Sequence, residues 1–349
     1  MAQPASDRPG GPPGPAAAYH RLVQRLAELV ARLPYPSARL QYVVGLLVVI
    51  TQTTIGVTGS VVRVTGSGLA CSTWPGCHEG TMFPTEHPEY ETLNQWIEFG
   101  NRLLTVVVTL TALAAVVVAW RIHLAHGRRR VLGLAVAALA GTGFQGVLGG
   151  ITVLAGLLWW TVALHFLATA ALVWIAVLLL RGFTEGERQP RWLIGSVSRR
   201  LLQALTVALT ALLVVGTMVT GAGPHGGDPD TPRLDMSIDV LAKVHGGLLV
   251  AFLAVLTVLG LSLLRSLAPR PFVVAYALVW VASVAQGFLG SLQYQLGVPE
   301  ELVSLHVLGA ALVVICTARL WCAARDRGPA PQVPDTEPAP PESDQPVAV

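Results

Sequence analysis

The chain has 349 residues, of which 53% are apolar and only 12% charged, where a typical soluble domain carries about 25% charge. Together with a mean hydropathy of +0.59, this excludes an ordinary soluble protein. A formal net charge of +3 is too small for a nucleic-acid partner, which needs a basic stripe along the phosphates.

Taken in chain order, residues 1–18 are rich in Pro, Gly and Ala. They hold too little apolar surface to offset their ordering entropy, so disorder is expected. No apolar run precedes residue 40, and no secretory signal peptide is expected. Residues 19–33 have helical periodicity, with Arg21, Arg25 and Arg32 on the polar side. They are expected to lie as an amphipathic helix on the cytoplasmic membrane surface. A membrane span needs about 20 mostly apolar residues. Eight stretches qualify, near 40–62, 95–119, 131–154, 158–180, 200–221, 238–264, 271–294 and 301–322. The tail from about 328 returns to polar, Pro-rich sequence. The expected fold is therefore all-α and integral to the membrane. Residues 1–38 form a largely disordered cytoplasmic segment and 39–181 a first four-helix bundle. A cytoplasmic linker follows at 182–199, a second four-helix bundle at 200–323, and a disordered cytoplasmic tail at 324–349.

The arginines fix an expected orientation. Arg121, Arg128, Arg129 and Arg130, then Arg188, Arg191, Arg199 and Arg200, then Arg265 and Arg270 all fall in one set of connections. The other set carries Glu79, Glu86, Glu89, Glu91, Asp228, Asp230, Asp235, Glu300 and Glu301. Both termini are expected in the cytoplasm, with loops 63–94 and 222–237 outside. The stretch 143–172 also aligns without gaps on 284–313: Gln145-Gly146 falls on Gln286-Gly287, Leu148-Gly149 on Leu289-Gly290, and His165 on His306. Four spans per half give both halves the same orientation, which predicts a parallel pseudo-repeat about an axis along the membrane normal.

Three of the nine histidines lie inside spans: His165, His245 and His306. Spans 4, 6 and 8 run in the same direction, and each histidine follows its span's start by a similar number of residues. At ~1.5 Å rise per residue all three occupy one layer, ~8–11 Å below the outer boundary. Intramembrane ionisable groups usually face a functional interior, and neutral imidazole is a common axial ligand of haem iron. The plainer reading is an interhelical hydrogen bond for each. Three in one layer favour iron, with His245 and His306 clamping one porphyrin. Zinc fits less well, because no Cys or carboxylate ligand set accompanies them. Aligning span 2 on span 6 sets Asn101, not a histidine, opposite His245. The halves are thus chemically unequal, with His165 the strong ligand of the first.

Glu98 lies one turn before Asn101 on the same helix face. Two readings stand: an interface carboxylate paired with Arg102, or a proton carrier facing the first haem pocket. Cys71 and Cys77, in CSTWPGC, fall in an outer, oxidising loop where a disulfide is expected, either structural or redox-active. Cys316 and Cys322 read as buried or free thiols. The Gln-Gly and Leu-Gly pairs of spans 3 and 7 read as small residues for close packing. Arg63, Arg233 and Lys243 are outer-side cations able to pair with haem propionates, or simply to anchor the interface.

The run VVRVTGSGLACSTWPGC, then WIEFGNRL, then single histidines in spans 4, 6 and 8 resembles bacterial haem A synthase over about residues 40–322. The resemblance implies oxidation of the C8 methyl group of haem O to a formyl group, giving haem A for terminal oxidases in the bacterial plasma membrane. It implies haem b held by His245 and His306 in the C-terminal half, and substrate haem O at His165 in the N-terminal half. It implies a catalytic role for Glu98 and a Cys71–Cys77 disulfide. The family pattern has His three residues after that glutamate. Asn101 stands there instead, leaving His165 as the sole strong ligand. Implied partners are membrane lipid, a haem O synthase, terminal oxidase assembly factors and an electron donor the sequence does not name. Two other readings rest on the same histidines: a dihaem b-type electron-transfer cytochrome, quinol oxidoreductase-like, and a haem transporter or chaperone. Glu98, Asn101 and the unequal halves speak against the first. The absence of interrupted helices speaks against the second.

Overall fold

The computed structural model describes residues 15–89, 91–264 and 268–331. The described residues contain nine helices: α1 (Pro15–Ala31), α2 (Ala38–Val64), α3 (Thr92–His126), α4 (Arg129–Leu154), α5 (Trp159–Thr184), α6 (Ser196–Ala222), α7 (Ile238–Leu264), α8 (Arg270–Gln295) and α9 (Glu300–Ala323). The last eight are long and apolar enough to cross a membrane, so this is a multi-pass membrane protein. In α1 the apolar Tyr19, Leu22, Leu26 and Leu29 are all exposed, as a helix lying on a bilayer surface requires.

Local chemistry sets the ends. Ser37 caps α2, its hydroxyl accepting from the Leu40 N–H at 3.2 Å, which satisfies one of the donors orphaned at a helix start. Gly127 closes α3 in the left-handed conformation, at φ 67°, where glycine meets no Cβ penalty. The α4–α5 and α8–α9 turns are built alike. Each has two successive positive-φ residues, Gly156-Leu157 and Gly297-Val298. In each, the second residue's N–H reaches back to a helical carbonyl, Leu157 to Thr152 at 2.9 Å and Val298 to Gln293 at 2.8 Å. A β-branched Val at positive φ is a strained choice.

Helices α2, α3, α4 and α5 close a ring, each packed on the next. Alanines bring α3 and α4 close: Ala112, Ala115, Ala119, Ala135 and Ala138 have no exposed surface, the small-residue packing that replaces hydrophobic drive in lipid. The other half is built differently. Here α6–α7 and α8–α9 are two tight pairs that touch each other thinly, and α9 also packs on α2 and α5. Its core joins Leu202, Leu205, Phe252, Leu256, Phe272 and Val279 to Val173 of α5. Ala318 of α9 is buried in the first half's core. The two halves thus share core residues.

The expectation of disordered ends is corrected on both sides. Residues 15–18 belong to α1, and residues 324–331 are docked. Strand β1 (Arg191–Trp192) pairs antiparallel with β2 (Arg325–Asp326), and the Gly186 N–H donates to the Gly328 carbonyl at 2.7 Å. Composition averages over the tail and misses that its first residues find unsatisfied backbone groups in the linker. Residues 1–14 and 332–349 lie outside the described residues. The linker itself is shorter than 182–199, since α5 runs to Thr184 and α6 starts at Ser196.

Candidate functional site

His165, His245 and His306 are the seventh, eighth and seventh residues of α5, α7 and α9, which sets them at matching depth. Each ring lies against a glycine of the preceding helix. A Cβ on Gly149, Gly216 or Gly290 would stand 3.3, 3.1 and 2.8 Å from the Cε1 of His165, His245 and His306 respectively. At Gly290 any side chain must displace the imidazole. All three Nδ1 atoms are buried without a hydrogen-bond partner. Leaving such an atom unmet costs about 1–3 kcal/mol, so each ring has unused bonding capacity in one layer.

The His245 and His306 ring centres stand 6.5 Å apart, at 58° to one another. Two imidazoles on opposite sides of one metal ion, with metal–nitrogen bonds of ~2 Å, place their ring centres about 6–6.5 Å apart. Among the described residues no group of three or more His, Cys, Asp or Glu converges to hold a bare metal ion. Two imidazoles alone suit a metal that brings its other four ligands with it, as porphyrin iron does. Among the described residues α7 and α9, which carry these two rings, do not pack directly on each other.

Sequence reading passed over a pair of glutamines. Gln145 of α4 donates through Nε2 to the backbone carbonyl of His165 at 3.0 Å. Gln286 of α8 does the same to His306 at 2.8 Å. Both Oε1 atoms are buried and unpartnered. The repeated Gln-Gly pairs were the available signal. Read as small-residue packing, they hid an amide that fixes the histidine's own turn.

The loop before α3 is clamped onto that helix. Glu98 is 4% exposed. Its Oε1 pairs with Arg102, and its Oε2 accepts from the Cys71 N–H at 2.8 Å. Arg102 donates to the carbonyls of Thr73 and Gly76, each at 2.7 Å, and to that of Pro75 at 3.2 Å. The Cys71–Cys77 disulfide is present, so one ion pair on α3 clamps a covalently closed loop. Just after that loop His78 shares one hydrogen bond with Gln95 at 2.9 Å and another with Ser72 at 3.1 Å. The Trp74 indole lies against Gly150, where a Cβ would come within 2.8 Å of it, next to the glycine that faces His165. Asn101 turns toward α2, its Oδ1 accepting from Thr58 Oγ1 at 2.7 Å.

Arg63 and Arg233 hold loops. Arg63 donates to the His225 carbonyl at 2.6 Å, and His225 donates to the Val298 carbonyl at 2.8 Å. Arg233 donates to the carbonyls of Thr220, at 2.9 Å, and Gly223. Its Nε is buried without a partner, and burial holds its guanidinium below the usual arginine range. Lys243 is exposed. Cys316 and Cys322 are free thiols.

A family model described as COX15-CtaA, cytochrome oxidase assembly protein, matches residues 42–226. That segment holds Glu98, the disulfide and His165, and ends before His245 and His306. Among curated proteins, a heme A synthase of Halalkalibacterium halodurans is 32% identical over 130 residues, which is 37% of this chain. The match spans 41% of that relative's length. With more than half of its residues matched by the family model, the chain belongs to the COX15-CtaA family of cytochrome oxidase assembly proteins.

Proposed function

We propose that this protein is a haem A synthase that oxidises the C8 methyl group of haem O to a formyl group, supplying haem A to a terminal oxidase. The observation that carries the reading is the 6.5 Å spacing of the His245 and His306 rings in a layer shared with His165. The named relative, a heme A synthase, supports it. In this reading the chain is two pseudo-repeated bundles, with haem b in the second and substrate haem O in the first. Both termini face the cytoplasm of a bacterial cell.

His245 and His306 would hold haem b, which would supply one-electron transfer. His165 would hold the substrate, and Asn101 stands at the first half's counterpart of His245. Gln145 and Gln286 hold the backbone of the two repeat-related histidines, so each ring is presented at a fixed height. Methyl oxidation takes place at the porphyrin edge, away from the ligated metal, so the protein must hold the substrate rigidly and manage protons around it. The clamped 71–77 loop, with Trp74 on α4, excludes water from above. Glu98 is the buried carboxylate of α3, one turn from Asn101, and is the group placed to carry a proton there. Its contacts with Arg102 and Cys71 also make it the anchor of that loop. Arg63, Arg233 and Lys243 are the cations available to propionates, Lys243 with the least competition from backbone carbonyls. Haem O synthase, oxidase assembly factors and an electron donor are the partners this activity requires.

The test is direct. The protein is expressed with a haem O supply, and the extracted pigments are separated. Haem A should appear only when the protein is present. Haem O left unchanged beside tightly bound haem b would replace this reading with a dihaem electron-transfer cytochrome, and purification without any haem would replace it with a transporter.

A further inference from the structure

A second site lies far from the histidine layer, on the Arg-rich face. A cavity of about 150 Å³ opens between the α3–α4 turn, the linker after α5 and the docked tail. His126, Arg128, Glu187, Arg188 and Arg327 line it. We propose that this cavity binds a phosphate group, either free inorganic phosphate or the headgroup of an anionic phospholipid.

The charge balance favours an anion. Three guanidinium groups face one carboxylate, and that carboxylate is already used. Glu187 Oε2 accepts from the Arg130 N–H at 3.1 Å and Oε1 from the Val131 N–H at 3.0 Å, capping the start of α4. Glu185, the next acid, is taken by Arg130 at 2.8 Å and Arg181 at 3.2 Å, with Arg327 at 3.9 Å. Arg128 is 3% exposed, and one of its terminal nitrogens is held by the carbonyls of Gly182 and Glu185. Its Nε is buried without a hydrogen-bond partner, because the nearest Glu187 oxygen is 3.9 Å away, beyond hydrogen-bond reach. Burying a guanidinium with unmet capacity is costly, and phosphate is the counter-charge that the Arg128, Arg188 and Arg327 guanidinium groups lining the cavity suit best. Burial and the neighbouring Arg130 and Arg325 hold Arg327 below the usual arginine range, a penalty that a bound anion relieves. Arg188 lies exposed at the rim, its side chain against Gly328.

The purified full-length protein and its R188Q and R327Q variants test this, because those changes leave the buried Arg128 in place. Inorganic phosphate is titrated in phosphate-free detergent buffer and read by thermal unfolding. A parallel set is reconstituted in phosphatidylcholine vesicles with and without phosphatidylglycerol and read by phosphorus NMR. Wild type should be stabilised by at least one of the two, and each variant should need about tenfold more of it, as expected for losing one charge-assisted contact. R270Q, on the same face but outside the cavity, should behave as wild type. A response to phosphate alone assigns the site to a free anion, and a response to phosphatidylglycerol alone assigns it to lipid. Indifference of wild type to both, or variants that bind as wild type does, overturns the proposal.

Discussion

At the scale of single residues, the two histidines proposed to hold haem b and the one proposed to hold the substrate should separate cleanly. His245→Ala or His306→Ala should remove the Soret absorbance of purified protein, whereas His165→Ala should keep it and lose conversion. Equal haem content in all three would refute the assignment. Glu98 allows a finer division, because one side chain is asked both to anchor a loop and to carry a proton. Glu98→Gln keeps an oxygen able to accept from Cys71 but cannot ionise. It should retain haem, leave hydrogen exchange of residues 71–77 near wild type, and lower turnover by ~100-fold or more, the usual scale of a lost acid–base group. If turnover survives in Glu98→Gln but fails in Arg102→Ala, the carboxylate serves only the clamp.

Element by element, glycine is where the histidine-bearing helices are most exposed to change. Gly290→Ala places a methyl 2.8 Å from the His306 ring, so the imidazole must rotate or α8 must retreat. The expected result is a shifted haem spectrum and faster haem loss, with Gly149→Ala milder because its clearance is 3.3 Å. An unaltered spectrum in Gly290→Ala would mean the ring is free to move. In the turns, Gly297 sits at φ 76°, and Gly297→Ala should destabilise by about 1 kcal/mol, the Cβ penalty of the left-handed region, read as a lower midpoint of thermal unfolding. The α8–α9 turn also receives His225, so this loss should loosen the α6–α7 loop as well.

Across the whole molecule, stability is shared between faces. At the end of the spans opposite the Arg-rich face a disulfide closes the 71–77 loop. Cys71→Ser with Cys77→Ser should cost about 2 kcal/mol, the loop-entropy scale for so short a crosslink, while leaving in place the haem proposed to sit between His245 and His306. Loss of that haem on reduction would show that the halves are coupled through that loop. On the Arg-rich side, Glu185 gathers arginines from α4, α5 and the tail. Glu185→Ala should therefore free residues 324–331 to proteases before any span unfolds.

What the sequence determined by itself is what periodicity and transfer energy can express. Eight runs of apolar residues became eight helices, because a bilayer leaves the backbone no other way to satisfy its polar groups. The histidine layer was legible for a related reason: depth along a span follows from counting residues at a fixed rise, and nothing distant can change it. Glu98 and Arg102 could be paired on paper, being one turn apart, but that Arg102 also gathers three loop carbonyls could not. Nor could the grip of Gln145 and Gln286 on the histidine backbones, the uneven closure of the two halves, or the docking of 324–331 on the linker. Each of these depends on which groups meet across long stretches of chain. Such meetings are decided by side-chain packing and by the need of buried polar atoms for partners, neither of which leaves a period in the sequence.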